Sequence, residues 1–317
     1  MKIIFMGTPH YAAIVLQKLI DSKHQVVAVV CQPDKPVGRK QILVPPETKE
    51  IAKANNIPVY QFHKIRIDGV ETLKNLDADI MVTAAYGQIL SQEILDITKF
   101  GCYNVHASIL PKYRGSSPIQ WALINGEKTT GVTILKTYAG IDNGPILLTK
   151  ECPIQSTDTV SSLMQKLGEI GADLMVQGLD MLESGNYVLT PQNEEEMTYF
   201  PMLKKENSNI NFEKSTKEIC GFVKGLEEWP TAVTNLCGNT IKVFDAEGVN
   251  YFAEKEYKPG QIVCATNKLG LIVKSVDGFV RLCVIQPQNG KKMKDTDFLN
   301  GKKIEVGTEL LKVNFEK

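Results

Sequence analysis

KIIFMGTPHYAAIVLQKLIDSKHQVVAVVC, residues 2–31, reads as a strand, a helix and a second strand. Lys2–Met6 is a short apolar run closed by Gly7, and Pro9–Ile20 then places Ala12, Val15, Leu16 and Leu19 at helical spacing. Val26–Cys31 is apolar without a break, the pattern of a strand buried on both faces. The alternation continues downstream. A helix is expected around Ile51–Asn55, extended chain at Pro58–Gln61 and a helix over Val70–Leu76. Strands follow at Asp79–Ala84 and Cys102–Val105, with a helix near Gln92–Ile97 between them, then a helix at Ile119–Ile124 and a strand at Val132–Thr137. This order predicts an α/β fold with a Rossmann-like, mostly parallel sheet and helices on both faces. Ligands of such sheets sit beyond the carboxyl ends of the strands, so chemistry is expected there.

The texture changes in the second half. Thr159–Leu182 is one long amphipathic stretch that stops at Ser184-Gly185. The stretch from Thr190 to Asn211 is polar and irregular and reads as a linker. After it come one helix, Thr216–Lys224, and short β-rich runs at Thr231–Leu236, Thr240–Phe244, Gln261–Ala265, Leu269–Val273 and Val280–Ile285. Their spacing predicts a small β-barrel of the OB-like kind. The expected layout is a catalytic domain over 1–189, a linker over 190–211 and a barrel over 212–317.

Lys+Arg 36 balances Asp+Glu 36, so bulk charge gives no argument for a nucleic-acid partner. Seven cysteines, an odd number with no C-x-x-C pair, disfavour a zinc ribbon or a disulfide scaffold and suit free thiols in a reducing compartment. MKIIFMGTP enters a strand at once, unlike a signal peptide, and no segment nears the ~20 apolar residues of a membrane span. A cytoplasmic protein is expected.

Asn104-Val105-His106 ends a predicted buried strand, and residues two apart share a side, so amide and imidazole face one space. Such a pair suits the stabilisation of a developing oxyanion; a satisfied core histidine beside a strand-end asparagine is the plainer alternative. The loop ASILPKYRGSSPIQ, residues 107–120, follows and can offer backbone groups to a ligand. In Ala139-Gly140-Ile141-Asp142-Asn143-Gly144 two glycines bracket one carboxylate, which near an imidazole would orient it and favour its charged form. By itself that turn is equally an ordinary Asx-turn.

Taken in order, Asn104-Val105-His106-Ala107-Ser108-Ile109-Leu110-Pro111, Tyr113-Arg114-Gly115, Pro118-Ile119-Gln120, Gly131-Val132-Thr133 and Asp142 resemble the folate-dependent formyltransferases. The resemblance implies a catalytic trio at Asn104, His106 and Asp142. It implies folate contacts at Ser108, Ile109, Leu110 and Pro111, with backbone contacts from Gln88, Ile89 and Leu90. The implied reaction draws on 10-formyltetrahydrofolate as co-substrate. An amine attacks the formyl carbon, Asn104 and a charged His106 stabilise the oxyanion, and Asp142 orients the ring and moves protons through a bound water. No metal is expected.

Three features make the resemblance strongest to the branch that acts on initiator methionyl-tRNA. These are the opening Ile3-Ile4-Phe5-Met6-Gly7-Thr8-Pro9, the basic loop Gln32–Lys40, and Glu228-Trp229-Pro230 leading into the β-rich region. Arg39 of that loop would touch RNA near the first base pair. Small departures occur at Ile109, Ser116-Ser117, Asn143 and Pro145, and Asn209 stands where a basic residue is common. Lys291, Lys292, Lys294, Lys302 and Lys303 form a basic cluster of the kind that is usually a solvated face. Met6-Gly7-Thr8-Pro9 lacks the G-x-G-x-x-G turn of dinucleotide-binding enzymes. A sugar-amine formyltransferase and a catalytically silent RNA-binding relative remain rivals, and a monomer is the default.

Overall fold

A computed structural model of the chain describes residues 1–38 and 41–315. It divides into two compact units, the first made of Met1–Gly115, Thr129–Pro153 and Met164–Phe200, the second of Ser116–Lys128, Ile154–Leu163 and Pro201–Lys317.

The first unit carries strands β1 (Lys2–Gly7), β2 (Gln25–Cys31), β3 (Lys35–Val37), β4 (Ile42–Val44), β5 (Val59–Gln61), β6 (Ile80–Ala84), β7 (Cys102–His106), β8 (Arg114–Gly115), β9 (Thr129–Lys136), β10 (Ile146–Pro153) and β11 (Tyr199–Phe200). Seven of them form one sheet in the order β10-β9-β7-β6-β1-β2-β5. From β5 to β7 every pairing is parallel, while β9 and β10 add antiparallel strands at one edge. The order reverses between β1 and β6, the position where such sheets open a crevice at their carboxyl ends.

Alternate side chains of the buried strands feed opposite faces. Ile4, Met6, Val30 and Met81 pack with Ile65, Leu73, Ile94 and Leu95 from the helical segments on one side. On the long helix Val160–Ser184, a Cβ at Gly171 would lie 2.7 Å from the Val105 side chain and 3.2 Å from Val132. Only glycine lets that helix lie so close to β7 and β9.

Several elements differ from the sequence reading, among them one helix and one edge strand. The helix expected at Ile51–Asn55 spans Glu47–Ala54, starting just after Pro46, whose fixed φ suits a helix entry. The strand β10 escaped the sequence reading because it is the sheet edge and its middle is polar: Thr149, Lys150 and Glu151 are exposed.

The second unit holds an antiparallel sheet of β12 (Ala232–Leu236), β13 (Asn239–Gly248), β14 (Ile262–Thr266), β15 (Gly270–Lys274), β16 (Phe279–Pro287) and β17 (Met293–Lys294). Its order is β12-β13-β16-β15-β14, with β17 on β16. Isolated bridges from Leu311 to Asn235 and from Glu309 to Gln261 lay the C-terminal segment along both edges. The helix Thr216–Gly225 packs Ile219 and Val223 onto a core with Val243, Leu271, Val280 and Ile285.

That helix opens on a capping box: Ser215 Oγ accepts from the Glu218 N–H at 3.3 Å and Glu218 accepts from the Ser215 N–H at 2.9 Å. The Ser215 hydroxyl, its N–H and the Lys214 ammonium hold the Glu218 carboxyl down at about 2 from an ordinary 4.5. A depressed carboxyl contributes its share of stability above the unfolded value and loses it as pH falls toward the folded one. Carboxyl NMR titration should find Glu218 near 2, and rising toward 4.5 in Ser215→Ala; an unchanged value in the variant would contradict the assignment.

Candidate functional site

The site begins with register. β6 and β7 run in parallel with Thr83 opposite Asn104, and β9 sets Leu135 opposite Asn104 and Thr133 opposite His106. The Thr83 hydroxyl donates to Asn104 Oδ1 at 2.9 Å, and the Asp142 carboxylate, which only accepts, marks the other end of the amide as the nitrogen. Asn104 Nδ2 is thereby left as a donor, and it reaches Asp142 Oδ1 at 3.4 Å.

His106 is 6% exposed. Its Nε2 lies 2.9 Å from the Tyr113 carbonyl, which can only accept, so Nε2–H is the donor. The other nitrogen, Nδ1, faces Asp142 Oδ2 at 3.6 Å. That separation is long for a hydrogen bond and close enough for attraction whenever the ring is charged.

Asp142 is where the segments meet. Its backbone has φ +48, the left-handed region that side chains rarely enter. Oδ2 accepts the Gly115 N–H at 2.9 Å, while Gln192 Nε2 donates to the carbonyls of Asp142 at 2.8 Å and Gly144 at 2.7 Å. Gly115 has φ +100, and a Cβ there would strike the Phe200 carbonyl and the Tyr199 ring. Glycine is required for β8 to pair with β11 while turning its N–H toward Asp142.

The structure thus brings Asn104, His106 and Asp142 into one cluster at the carboxyl end of β7. An amide donor and an imidazole facing a carboxylate can stabilise an oxyanion and pass a proton.

The expected folate stretch leaves β7 directly. Ser108 is buried, its hydroxyl donating to the Lys112 carbonyl at 2.8 Å. Thr133 ties the loop down: its hydroxyl donates to the Ser108 carbonyl at 2.7 Å and accepts the Leu110 N–H at 3.2 Å. Leu110 is buried, Ile109 and Pro111 are half-buried, and the Leu110–Pro111 peptide is cis.

Gln88, Ile89 and Leu90 lie on the loop leaving β6, the parallel neighbour of β7, so both loops issue from the same sheet edge. The Gln88 side chain is engaged internally, donating to the Phe62 carbonyl at 2.8 Å and accepting the Ile65 N–H at 2.9 Å. Ile89 is 81% exposed, an apolar side chain presented to solvent, and Leu90 is half-buried against the core. Arg39 lies outside the described residues; β3 and β4, on either side of it, form a hairpin that exposes Ile42 and Leu43.

Sequence reading missed the support of the cluster. Buried Arg114 directs Nε and NH2 at Gln192 Oε1, at 3.0 and 2.8 Å, and NH1 and NH2 at Glu194, at 2.9 and 2.7 Å. Gln192 and Glu194 sit in the polar stretch read as a linker, and only the Arg114 half of the arrangement had a sequence signal. Among the described residues, His24, Asp180 and Glu183 have metal-ligand spacing, but Lys23 already pairs with Asp180 at 2.9 Å and Glu183 at 3.4 Å.

Known proteins resemble this chain over nearly its whole length. A family profile described as "Formyl transferase" matches residues 1–179, and one described as "Formyl transferase, C-terminal domain" matches 202–303. The methionyl-tRNA formyltransferase of Ruminiclostridium cellulolyticum is 40% identical over 98% of this chain and 99% of its own. That of Thermodesulfovibrio yellowstonii is 42% identical over 97% and 98%. Among solved structures, HypX from Aquifex aeolicus superposes with TM-score 0.67 at 19% identity, covering 96% of this chain and 49% of its own. An N-formyltransferase from Helicobacter canadensis, in complex with folinic acid and dTDP-3-aminofucose, gives 0.65 at 21%, covering 92% and 100%. At these identities the two structures speak for the fold.

Gly115→Ala should destabilise the protein by about 1–3 kcal/mol, through its backbone conformation and the Phe200 carbonyl in its way. Urea denaturation checks this; a shift under ~0.5 kcal/mol, the range of an ordinary surface change, would contradict it.

Proposed function

This chain belongs to the methionyl-tRNA formyltransferase family, and from that premise we infer its reaction and the residues that carry it. It transfers the formyl group of 10-formyltetrahydrofolate to the amine of initiator methionyl-tRNA. The methionyl nitrogen attacks the formyl carbon, a C–N bond forms, and the carbonyl electrons move onto oxygen. Collapse of that tetrahedral species breaks the bond to N10, which leaves as the protonated secondary amine, while the attacking nitrogen gives up a proton.

Asn104, His106 and Asp142 are proposed as the catalytic residues. The observation that carries this reading is the Asp142 carboxylate lying 3.4 Å from the Asn104 amide and 3.6 Å from His106 Nδ1. Asn104 Nδ2–H and the charged ring stabilise the oxyanion, and Asp142 orients the ring and relays the proton through water. The amide, the ring and the carboxylate are in place before the reaction begins, so little reorganisation accompanies it.

Ser108, Ile109, Leu110 and Pro111 form one wall for the folate, with Gln88, Ile89 and Leu90 across from it. The anchoring of the first loop by Thr133 and the exposed Ile89 on the second support this reading. Gln88 acts through its backbone, since its side chain is already bonded.

Arg39 is assigned to the RNA near the first base pair. We assign 1–189 to catalysis, 190–211 to a linker whose first part, through Phe200, packs with the first unit, and 212–317 to a tRNA-binding barrel of the OB-like kind. The C-terminal segment bridging both edges of the second sheet supports closure of that barrel. We propose that the protein acts as a cytoplasmic monomer.

Incubation with 10-formyltetrahydrofolate and charged initiator tRNA should give N-formylmethionyl-tRNA, with little product from glycinamide ribonucleotide or an amino sugar. Preferential formylation of either control would overturn the acceptor. His106→Ala and Asp142→Ala should each lower turnover about 100-fold or more while circular dichroism stays native. Near-full turnover in either variant would remove the trio. Arg39→Ala should weaken turnover on methionyl-tRNA far more than folate binding, and equal losses would contradict its assignment to RNA.

A further inference from the structure

We propose that Gln192 is a positioning residue for formyl transfer: its amide, clamped by Arg114, holds the Asp142 turn in the conformation that aims the carboxylate at Asn104 and His106. The inference rests on the catalytic reading of that trio and adds a part that touches neither the amide nor the imidazole.

The Asp142 turn needs an external hold. A left-handed backbone is unfavourable for a residue that carries a side chain. Ile141, next to it, is exposed and gives little packing. Within the turn, the carbonyls of Asp142 and Gly144 converge on one donor group, the Gln192 amide nitrogen, at 2.8 and 2.7 Å. Both hydrogens of that nitrogen are thereby used, and a primary amide is the uncharged side-chain group that can donate two and still accept at its other end.

The accepting end is fixed just as firmly. Gln192 Oε1 takes two N–H groups from Arg114, at 3.0 and 2.8 Å, and a planar guanidinium gripping one oxygen sets the plane of the amide. Arg114 is itself buried and held on its outer edge by Glu194, whose carboxyl it keeps below the usual range. The stretch carrying Gln192 is anchored as well. Thr198 accepts the Tyr113 N–H at 2.8 Å through its hydroxyl and the Arg114 N–H at 2.9 Å through its carbonyl, and the Tyr113 and Phe200 rings stack 4.7 Å apart. Glu194 and Thr198 on one segment and Tyr113, Arg114 and Gly115 on the other thus flank the amide.

Gln192→Glu is the sharpest probe. A carboxylate of the same size still accepts from Arg114 but offers no hydrogen to the two carbonyls, so the turn loses its hold and meets a repulsive oxygen instead. The expected result is a fall in kcat of about 10- to 100-fold with KM for 10-formyltetrahydrofolate within about twofold, the pattern of a displaced reacting group. Gln192→Met, which keeps the length without a donor, should show the same split and serves if the glutamate variant does not fold.

A purely structural role would lower the melting temperature without that split. The second arm therefore combines Gln192→Glu with Asp142→Asn. If Gln192 acts through Asp142, the double variant is no slower than Asp142→Asn alone. Losses that multiply would overturn the proposal, as would wild-type kcat in both Gln192 variants beside a crippled Asp142→Asn. Full turnover in Asp142→Asn would instead refute the catalytic trio itself, so the two failures are told apart.

Discussion

The arrangement depends on one carboxylate standing in a backbone conformation it would not choose. Asp142 occupies the left-handed region, and four groups from elsewhere in the first unit hold it there or face it: the Gly115 N–H, the Gln192 amide, the Asn104 amide and the His106 ring. None of these is a sequence neighbour of Asp142. The hydrogen bonds from Gly115 and Gln192 are each worth roughly 1 kcal/mol net, the same order as the cost of the turn. Strain of this kind persists where its surroundings over-determine it, and such places are where chemistry is done.

The sheet supplies the other half of the geometry. Parallel pairing of β6 with β7 sets Thr83 beside Asn104, where its hydroxyl donates to the amide oxygen. Antiparallel pairing of β9 with β7 sets Thr133 opposite His106, and the Thr133 hydroxyl pins the loop that follows β7. Both threonines lie in the buried sheet, which lets rigid strands rather than mobile loops decide where the reactive groups stand. The loops leaving β6 and β7 then inherit their positions from adjacent parallel strands.

Much of this was legible in the chain. The apolar runs at Lys2–Met6 and Val26–Cys31 and the helical spacing between them determine a parallel βαβ unit, because only burial on both faces makes an unbroken apolar strand worthwhile. Period two along Asn104-Val105-His106 put the amide and imidazole on one side, and the turn about Asp142 marked itself by its glycines. What the chain hid were elements with no periodic signal. The edge strand β10 is polar in its middle, the strands β8 and β11 have two residues each, and Gln192 sits in a run that reads as solvated.

The sequence by itself therefore determined the α/β architecture, the change to short strands after residue 212, and which residue types could carry out acyl transfer, since these follow from local periodicity and side-chain chemistry. Only the tertiary structure decided that residues 104, 106 and 142 meet, that Gln88 spends its amide on Phe62 and Ile65, and that a polar stretch some fifty positions from Asp142 reaches back to grip its turn. A hydrogen bond between segments distant along the chain leaves no periodic trace, because either partner alone is an ordinary polar residue; its meaning exists only once folding has brought donor and acceptor within reach.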